Sequence, residues 1–310
     1  MKRCLFSGEC GCADAIASAS AGAGNRGTIS YAPVCLSPSS KDGIDWLIGR
    51  LGLPADLSSV ALKLNLCDYR AAASGATTSP HIVGLIIEAL RLHAPNLERI
   101  VLVEGDSSGT RARDLYALLG FESLAGELGC ELFYPETGEW RACGRVGSLP
   151  IELPGVLWDV DLLINVPKIK LHGRTAITGA LKNNFGLLRQ RWKVPYHQLL
   201  CSAIALSNTP IQSQLVIADG SVLLSGRGPA FGTPLVPNLM LGSWNPVALD
   251  SAMASLLGVP ATFLGHVRLA ETCGLGSSQY LLQAPDDFAL PRLPRLDWLR
   301  FYAANLVHRA

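Results

Sequence analysis

Short apolar runs alternate with longer helical patterns along most of this chain, and this rhythm strongly constrains its fold. Residues 99–104 form a run typical of a buried strand, whereas apolar residues in 80–92 recur at helical spacing. Strands that alternate with helices are typical of a mostly parallel sheet covered by helices. The sequence therefore predicts a Rossmann-like α/β fold with helices on both faces of the sheet, arranged as one domain or as two packed lobes.

The remaining elements are predicted in the same way. Further strands are expected at residues 60–66, 130–134, 146–153, 162–166, 214–218 and 238–243, and further helices at 110–119, 176–187, 196–207 and 246–257. Residues 1–30, rich in Cys, Gly, Ala and Ser, are predicted to be a flexible leader before an α/β domain at 31–283. The Pro-rich tail at 284–310 contains an amphipathic segment, which we expect to serve packing or a homo-oligomer contact.

Composition excludes several classes of protein. The chain has 310 residues, of which 49% are hydrophobic and 16% charged, so it can bury a sizeable core. Its net charge of +1 gives no reason to expect a nucleic acid or an anionic membrane as partner. No apolar run reaches the roughly 18 residues of a membrane span, and the N-terminal run is too polar for a secretory leader. We expect a cytoplasmic protein.

The cysteines do not identify a cofactor. Nine cysteines without a regular framework argue against a secreted disulfide scaffold. Cys4, Cys10 and Cys12 cluster, and they are either a redox or soft-metal site or incidental thiols on the leader. The chain has no four-ligand zinc spacing and no Walker or dinucleotide fingerprint, so no metal site is predicted and the cofactor stays unknown.

A cationic stretch is the first candidate site. If residues 161–172 stay extended, Lys168, Lys170 and His172 share one face of a strand. Two cations about 7 Å apart repel by roughly 2 kcal/mol at an effective dielectric constant near 20, so a cleft must compensate them. Asp159 and Asp161 fall on the opposite face by parity. An anionic ligand is therefore the simpler partner.

The next segment extends this site. Small and polar residues recur at helical spacing: Thr175, Thr178, Gly179, Lys182 and Gly186. A glycine inside a helix lowers its stability by about 1 kcal/mol, and such a loss without a structural gain indicates a site rather than a solvated basic face. Asn183 follows Lys182, and the predicted strand at 60–66 brings Lys63 and Asn65 to one side.

Two loops and one histidine complete the candidate site. The loop at 105–110 precedes a predicted helix, whose free amides favour an anion, and the loop at 226–232, which contains Gly228, is also glycine-rich. His172 is the best candidate acid or base, because imidazole titrates near neutrality and nearby lysines would lower its pKa. His197 is a second candidate, whereas structural roles are expected for His81, His93, His266 and His308.

Two motifs carry a resemblance to a known family. Pro-Lys-Ile-Lys-Leu-His at 167–172 and Thr-Gly-Ala-Leu-Lys-Asn at 178–183 resemble the family catalogued as domain of unknown function 362, over about residues 63–276. Many relatives carry iron–sulfur cysteines that this chain lacks, so that role is not implied here. The layout is also similar to the amino-terminal lobe of nickel-dependent lactate racemases, in which a histidine exchanges a proton or hydride with a 2-hydroxy acid. Their nickel cofactor has no independent signal in this sequence.

The pattern and the resemblance together favour an enzyme that acts on a small carboxylate-bearing metabolite by proton transfer, as an isomerase or racemase does. The predicted catalytic residues are His172, Lys170 and Lys182. The predicted substrate-binding residues are Lys63, Asn65, Lys168, Thr178, Asn183 and Gly228. Two alternatives stay open: a metal or iron–sulfur redox protein that uses the N-terminal cysteines, and a non-catalytic anion-binding module.

Overall fold

The computed structural model describes residues 31–211, 213–226 and 228–290. The predicted leader with its three cysteines lies outside the described residues, as does most of the predicted tail. The described residues form a mixed α/β fold whose central sheet is mostly parallel and is flanked by helices. The predicted fold class is therefore confirmed.

The elements are numbered here in chain order within the described residues. The strands are β1 (Ala32–Pro38), β2 (Ser59–Lys63), β3 (Arg99–Val103), β4 (Glu131–Leu132), β5 (Trp140–Val146), β6 (Leu149–Pro154), β7 (Leu162–Asn165), β8 (Lys168–His172), β9 (Ala176–Ile177), β10 (Gln214–Ser225), β11 (Thr233–Leu235), β12 (Leu239–Ser243) and β13 (Tyr280–Gln283). The α-helices are α1 (Lys41–Leu51), α2 (Pro80–His93), α3 (Ala112–Leu118), α4 (Phe121–Leu128), α5 (Gly179–Phe185), α6 (Leu200–Asn208), α7 (Pro246–Leu256) and α8 (Gly265–Thr272). None of these described helices has the length and apolar character needed to cross a bilayer.

One large sheet organises the molecule. Eight strands lie side by side in the order β13-β1-β12-β10-β7-β2-β3-β4, and β8 and β11 also pair with β10. The run from β10 through β7, β2 and β3 to β4 is parallel throughout. The carboxyl ends of β2, β3 and β7 therefore meet at one edge, which is where open α/β sheets bind their ligands.

The two faces of the sheet carry two separate cores. Alternate strand residues point to opposite faces, so Val60 and Leu62 of β2 enter one core and Ala61 enters the other. The first core includes buried residues of α1–α4, and the second includes buried residues of α5–α8. Helices thus cover both faces, as the alternating pattern predicts.

Local signals set the starts of two predicted helices. The Ser79 side chain caps α2, and the Asn245 side chain caps α7 by accepting two backbone N–H groups. Proline follows each cap, at a position where its missing N–H has no partner to lose. Both predicted helix starts are confirmed.

Three predicted elements differ from the structure. The single strand predicted at 146–153 is wrong, because the chain turns at Gly147 (φ 57°) between β5 and β6. The single helix predicted at 176–187 is wrong as well, since β9 precedes α5 and Gly179 adopts a left-handed φ of 64° at the start of α5. The run at 161–172 is not one strand but two, β7 and β8, separated by Val166 and Pro167.

Candidate active site

A cavity of about 300 Å³ lies at the carboxyl ends of β2 and β3, beside β8 and α5. This volume is at the low end for ligand pockets, which suits a small metabolite. Seven of the nine residues predicted as catalytic or substrate-binding line it: Lys63, Asn65, Lys170, His172, Thr178, Lys182 and Asn183. Lys168 and Gly228 are not part of its lining.

Lys63, at the end of β2, is neutralised by the protein itself. Its Nζ lies 2.6 Å from Oε1 of Glu104, the residue that follows β3, and both side chains are buried. Oε2 of Glu104 accepts the backbone N–H of Leu66 at 2.7 Å. Burial lowers the pKa of Lys63, and the Glu104 carboxylate opposes that change. The pair adds no net charge to the cavity, and its ammonium can orient a ligand.

Lys168 is neutralised in the same way, away from the cavity. Its Nζ lies 2.7 Å from Oδ2 of Asp219 on β10, and both side chains are fully buried. Asp219 also accepts the backbone N–H groups of Ser79 and Ser221, each at 3.0 Å. The compensation that the sequence assigned to an anionic ligand comes, for Lys168, from a carboxylate brought in by the neighbouring strand.

Three other lysines face the cavity without a carboxylate partner. Lys170 of β8, Lys182 of α5 and Lys193 form no ion pair within the described part of the chain. Lys170 donates to the carbonyl of Ala76, and Lys182 lies 5.2 Å from the ring centre of Phe185. Burying a cation without an opposite charge is unfavourable, so such a lysine either gains an anionic partner or loses its proton more readily.

The pKa values of these lysines follow from their surroundings. Burial lowers the pKa of Lys170, and its charged neighbours act in both directions: Cys67 and Glu104 raise it, whereas Lys168 and Lys63 lower it. Burial and then Lys170 lower the pKa of Lys182 to about 8. Burial lowers the pKa of Lys193 to about 7, with smaller effects from neighbouring charges. Near neutral pH, Lys193 is therefore a mixture of cation and free amine, and the free amine is a base.

His172 presents one ring nitrogen to the cavity and the other to the backbone. Nδ1 accepts the N–H groups of Arg174 at 3.1 Å and Thr175 at 3.4 Å. Burial holds the pKa of His172 well below its ordinary value, and Lys182 and Lys170 lower it further. The ring is therefore neutral, with its proton on Nε2.

This tautomer changes the chemistry expected of His172. A neutral Nε2–H group donates a hydrogen bond to developing negative charge, as an oxyanion donor does. Proton abstraction would need the proton on Nδ1 instead, where it would meet two backbone N–H groups. The geometry favours His172 as a donor, whereas the sequence predicts an acid or base.

Two buried polar atoms in the cavity wall have no partner. Oγ1 of Thr178 and Nδ1 of His197 make no hydrogen bond within the described residues, although each atom is buried. An unsatisfied buried polar group destabilises a protein by about 1–3 kcal/mol. Burial lowers the pKa of His197, with smaller effects from Arg174 and Lys182. Both residues line the cavity, so these unpaired groups belong to its wall.

Helix α5 carries Lys182 and Asn183, and two contacts position it. The Asp250 carboxylate of α7 accepts the backbone N–H groups of Ala180 at 2.5 Å and Leu181 at 3.1 Å. Burial raises the pKa of Asp250 to about 7, and these two hydrogen bonds oppose the rise.

A buried amide network holds the other side of α5. Nδ2 of Asn183 donates to Asn165 at 2.8 Å, and Asn165 also contacts Asn184 and Gln214. Oδ1 of Asn183 lies 3.4 Å from Nζ of Lys63. Asn183 therefore ties the cavity wall to the sheet.

The two glycine-rich loops contribute differently from each other. Gly228 packs so closely on β8 that a Cβ there would lie 1.7 Å from the Leu171 carbonyl oxygen, and this approach brings Pro229 into the cavity wall. Arg227 lies outside the described residues. In the loop at 105–110, Asp106 itself accepts the N–H of Ala112 at the start of α3. Asp106 thus uses one N–H group of that helix start, while residues 105–109 line the cavity, and anion binding by this loop stays a prediction.

Within residues 31–211, 213–226 and 228–290, no cluster of three or more His, Cys, Asp or Glu side chains has an arrangement that could hold a metal ion. Cys67 lines the cavity as a single thiol, 3.8 Å from the Pro229 carbonyl oxygen.

A family model described as Domain of unknown function (DUF362) matches residues 60–255, which is more than half of the chain. The chain belongs to the DUF362 family. The match includes every residue that lines the cavity. The resemblance drawn from the two motifs at 167–172 and 178–183 is confirmed.

This DUF362 protein is 26% identical over 171 residues to Thylakoid-associated protein sll1697 of Synechocystis sp.. That alignment covers 46% of this chain and 53% of the relative, so the chain spans about half of the relative's length. The lactate racemase apoprotein from Thermoanaerobacterium thermosaccharolyticum aligns at a TM-score of 0.37 and 13% identity, over 73% of this chain and 57% of that one. A protein from Thermotoga maritima aligns at a TM-score of 0.35 and 13% identity, over 77% of this chain and 58% of that one. Structural similarity at this level carries no argument about activity.

Sequence reasoning missed two residues that shape the DUF362 cavity. Glu104 stood in a motif of the family resemblance, but its pairing with Lys63 spans 41 positions and has no local signal. Lys193 has no signature in its own segment. It reaches the cavity because its Nζ donates to the carbonyl oxygens of Asp106 and Gly186, which come from two other loops.

Proposed function

We propose that this DUF362 protein is an enzyme that moves a proton on a small carboxylate-bearing metabolite, in an isomerase or racemase-like reaction. One observation carries the proposal: three lysines without carboxylate partners, one of them with a pKa of about 7, face a single small cavity beside a neutral imidazole. Perturbed lysines of this kind in a concave site are characteristic of proton-transfer catalysis.

Binding would use the cations of β8 and α5. Lys170 and Lys182 would hold the substrate carboxylate, because charge-assisted hydrogen bonds are about twice as strong as neutral ones. The unpartnered hydroxyl of Thr178 lies in the same wall and can donate a further bond. Lys63 and Asn65 line the adjoining wall and would orient the remainder of the substrate.

The proton would move through Lys193. Its free amine takes the proton from the carbon next to the carboxylate, and the C–H electron pair moves into the carboxylate to form an enediolate. Lys170, Lys182 and the Nε2–H of His172 stabilise that developing charge. Return of the proton to the other face of the same carbon, or to a neighbouring atom, completes a racemisation or an isomerisation.

The test is hydrogen exchange with solvent. Protein purified without oxygen is analysed by native mass spectrometry and for metals, and any small acid that copurifies is then incubated with the enzyme in D₂O alongside a panel of 2-hydroxy acids. We expect deuterium at the carbon next to the carboxylate. Lys170→Met and Lys193→Met should abolish exchange, and His172→Ala should slow it about 100-fold through the loss of one oxyanion donor.

A matched control and two contrary outcomes define the limits of the proposal. Lys41→Met removes a surface lysine whose side chain is 74% exposed, and it should leave the exchange rate unchanged. Tight binding of an acid without any exchange would identify a non-catalytic anion-binding module. Stoichiometric iron or nickel in the purified protein would favour the redox alternative, whose cysteines lie outside the described residues.

A further inference from the structure

The proposed function leaves open the charge of the substrate, and the cavity constrains it. We propose that the ligand is a dianion, a small acid that carries two carboxylates. This inference rests on the cavity being the substrate site of the proposed function, and it names the class of that substrate.

The charges within the site do not balance without such a ligand. Glu104 neutralises Lys63, and Asp219 neutralises Lys168. Three further lysines line the cavity, and the remaining carboxylate in its lining is that of Asp106, which accepts the N–H of Ala112. The lining therefore holds three ammonium groups against one protein carboxylate, so a dianion balances it, whereas a monoanion leaves one positive charge without an opposite charge.

The three unpaired lysines occupy two places in the wall. Lys170 and Lys182 come from β8 and α5, together with Thr178 and His172. Lys193 comes from the segment after α5, where Arg191 also donates to the carbonyl of Ser107 at 3.0 Å. The two places suit two anionic groups on one small molecule.

The lysines are close enough to disturb one another. Lys170 lowers the pKa of Lys182, and Lys182 in turn lowers the pKa of Lys193. These repulsions therefore link the two places in the wall. A ligand with one negative group near each end would relieve both interactions.

Unpartnered polar atoms lie in both parts of the wall as well. Oγ1 of Thr178, in a side chain that is 3% exposed, has no hydrogen-bond partner among the described residues, and the same holds for Nδ1 of His197. Both residues line the cavity, so these unpaired polar groups belong to the wall around the ligand.

Binding a dianion should be accompanied by proton uptake. The lysines whose pKa values are about 8 and about 7 in the empty cavity are partly neutral at pH 8, and a nearby dianion raises both values. The other titratable groups that line the cavity are Lys63, Cys67, Glu104, Asp106, Lys170, His172 and His197. Binding should take up protons and not release them, because the ligand carries only negative charge.

The experiment compares isosteric acids by titration calorimetry at pH 8. Succinate is matched with its monoamide succinamate, and malate with its monoamide, in two buffers that differ in their enthalpy of ionisation. We expect succinate to bind at least about tenfold more tightly than succinamate, a difference of about 1.4 kcal/mol. Net proton uptake should accompany the binding of succinate and of malate.

Lys193→Met provides the internal check. In this variant succinate should bind no better than succinamate, while succinamate itself binds as it does to the wild type. Equal binding of the two acids to the wild type, succinate binding without proton uptake, or failure of every dianion to bind at millimolar concentration would overturn the inference.

The inference and the proposed function fail in different ways. Dianions that bind with proton uptake but exchange no deuterium would support the proposed ligand class and contradict the proposed enzyme activity. Deuterium exchange confined to monoanionic acids would support the proposed enzyme activity and contradict the proposal of a dianion.

Discussion

At the residue scale, two lysines of one strand have opposite roles. Lys168 and Lys170 are two positions apart on β8 and are both buried, yet Lys168 is paired with Asp219 and Lys170 has no carboxylate partner. A paired buried cation supports the fold, whereas an unpaired one destabilises the fold in exchange for binding. Replacing each by the uncharged side chain of methionine separates the two roles.

We expect Lys168→Met to lower the free energy of unfolding by about 3–5 kcal/mol, because it leaves the Asp219 carboxylate buried and uncompensated. Lys170→Met should leave the free energy of unfolding unchanged or higher and should abolish succinate binding. Urea denaturation and calorimetry measure the two effects. Equal destabilisation by both variants would contradict this assignment.

The base that we assign to Lys193 predicts a pH dependence of activity. Because its pKa is about 7 in the free enzyme, kcat/KM for deuterium exchange should rise as pH increases through 7 and then level off, whereas the rising limb of kcat should lie at higher pH because the bound dianion raises this pKa. Lys193→Arg keeps the positive charge but stays protonated, so we expect KM within a few-fold of the wild type and kcat near background. A wild-type rising limb that persists in Lys193→Arg would assign the base to another group.

At the element scale, the short helix α5 depends on contacts at its start. Gly179 has a left-handed φ of 64°, and a Cβ at this position would lie 2.4 Å from Oδ1 of Asp250. No other residue type fits both restrictions. The Asp250 carboxylate can therefore approach the first backbone N–H groups of the helix that carries Lys182 and Asn183.

Gly179→Ala should lower the free energy of unfolding by at least about 2 kcal/mol, from the left-handed backbone and the displaced carboxylate together. Gly126→Ala in α4 is the matched control, because no atom lies within 4 Å of its Cβ position. That change should raise the free energy of unfolding by roughly 0.5–1 kcal/mol through the better helix propensity of alanine. Chemical denaturation measures the free energy of unfolding of both variants. A Gly179→Ala protein as stable as the wild type would contradict the role assigned to Gly179.

At the scale of the whole molecule, the buried ionisable groups determine how stability varies with pH. Lys182 and Lys193 have folded pKa values of about 8 and about 7, below the ordinary value of 10.5, so their contribution to stability increases as pH rises toward 10.5. Asp250 has a raised pKa of about 7, so its contribution is full below pH 3.8 and is lost as pH rises through 7. These three groups together give the lowest stability near pH 7.

The free energy of unfolding of the ligand-free protein should therefore rise between pH 7 and 10, by up to about 1.4 kcal/mol per pH unit for a fully buried lysine and less for the partly exposed Lys182. Lys193→Met should reduce the slope of the free energy of unfolding against pH. Urea denaturation in buffers without small anions measures it, and identical slopes in the two proteins would contradict the lowered pKa of Lys193.

The sequence by itself determined what local periodicity and local chemistry control. The spacing of apolar residues predicted most strands and helices, and the predicted helix starts at Pro80 and at Asn245-Pro246 are those of α2 and α7. Parity predicted one face for Lys168, Lys170 and His172, of which Lys170 and His172 line the cavity. The turn at Gly147 was missed because the residues around it continue an apolar strand-like pattern.

Only the tertiary structure decided which charges are paired. Glu104 reaches Lys63 across 41 positions because β2 and β3 are neighbours, and Asp219 reaches Lys168 across 51 because β10 lies beside β8. The same packing left Lys170 without a carboxylate and brought Lys193 to the cavity. A charge interacts with whatever the fold places within a few ångströms, and the order of strands in a parallel sheet is not encoded in any local segment.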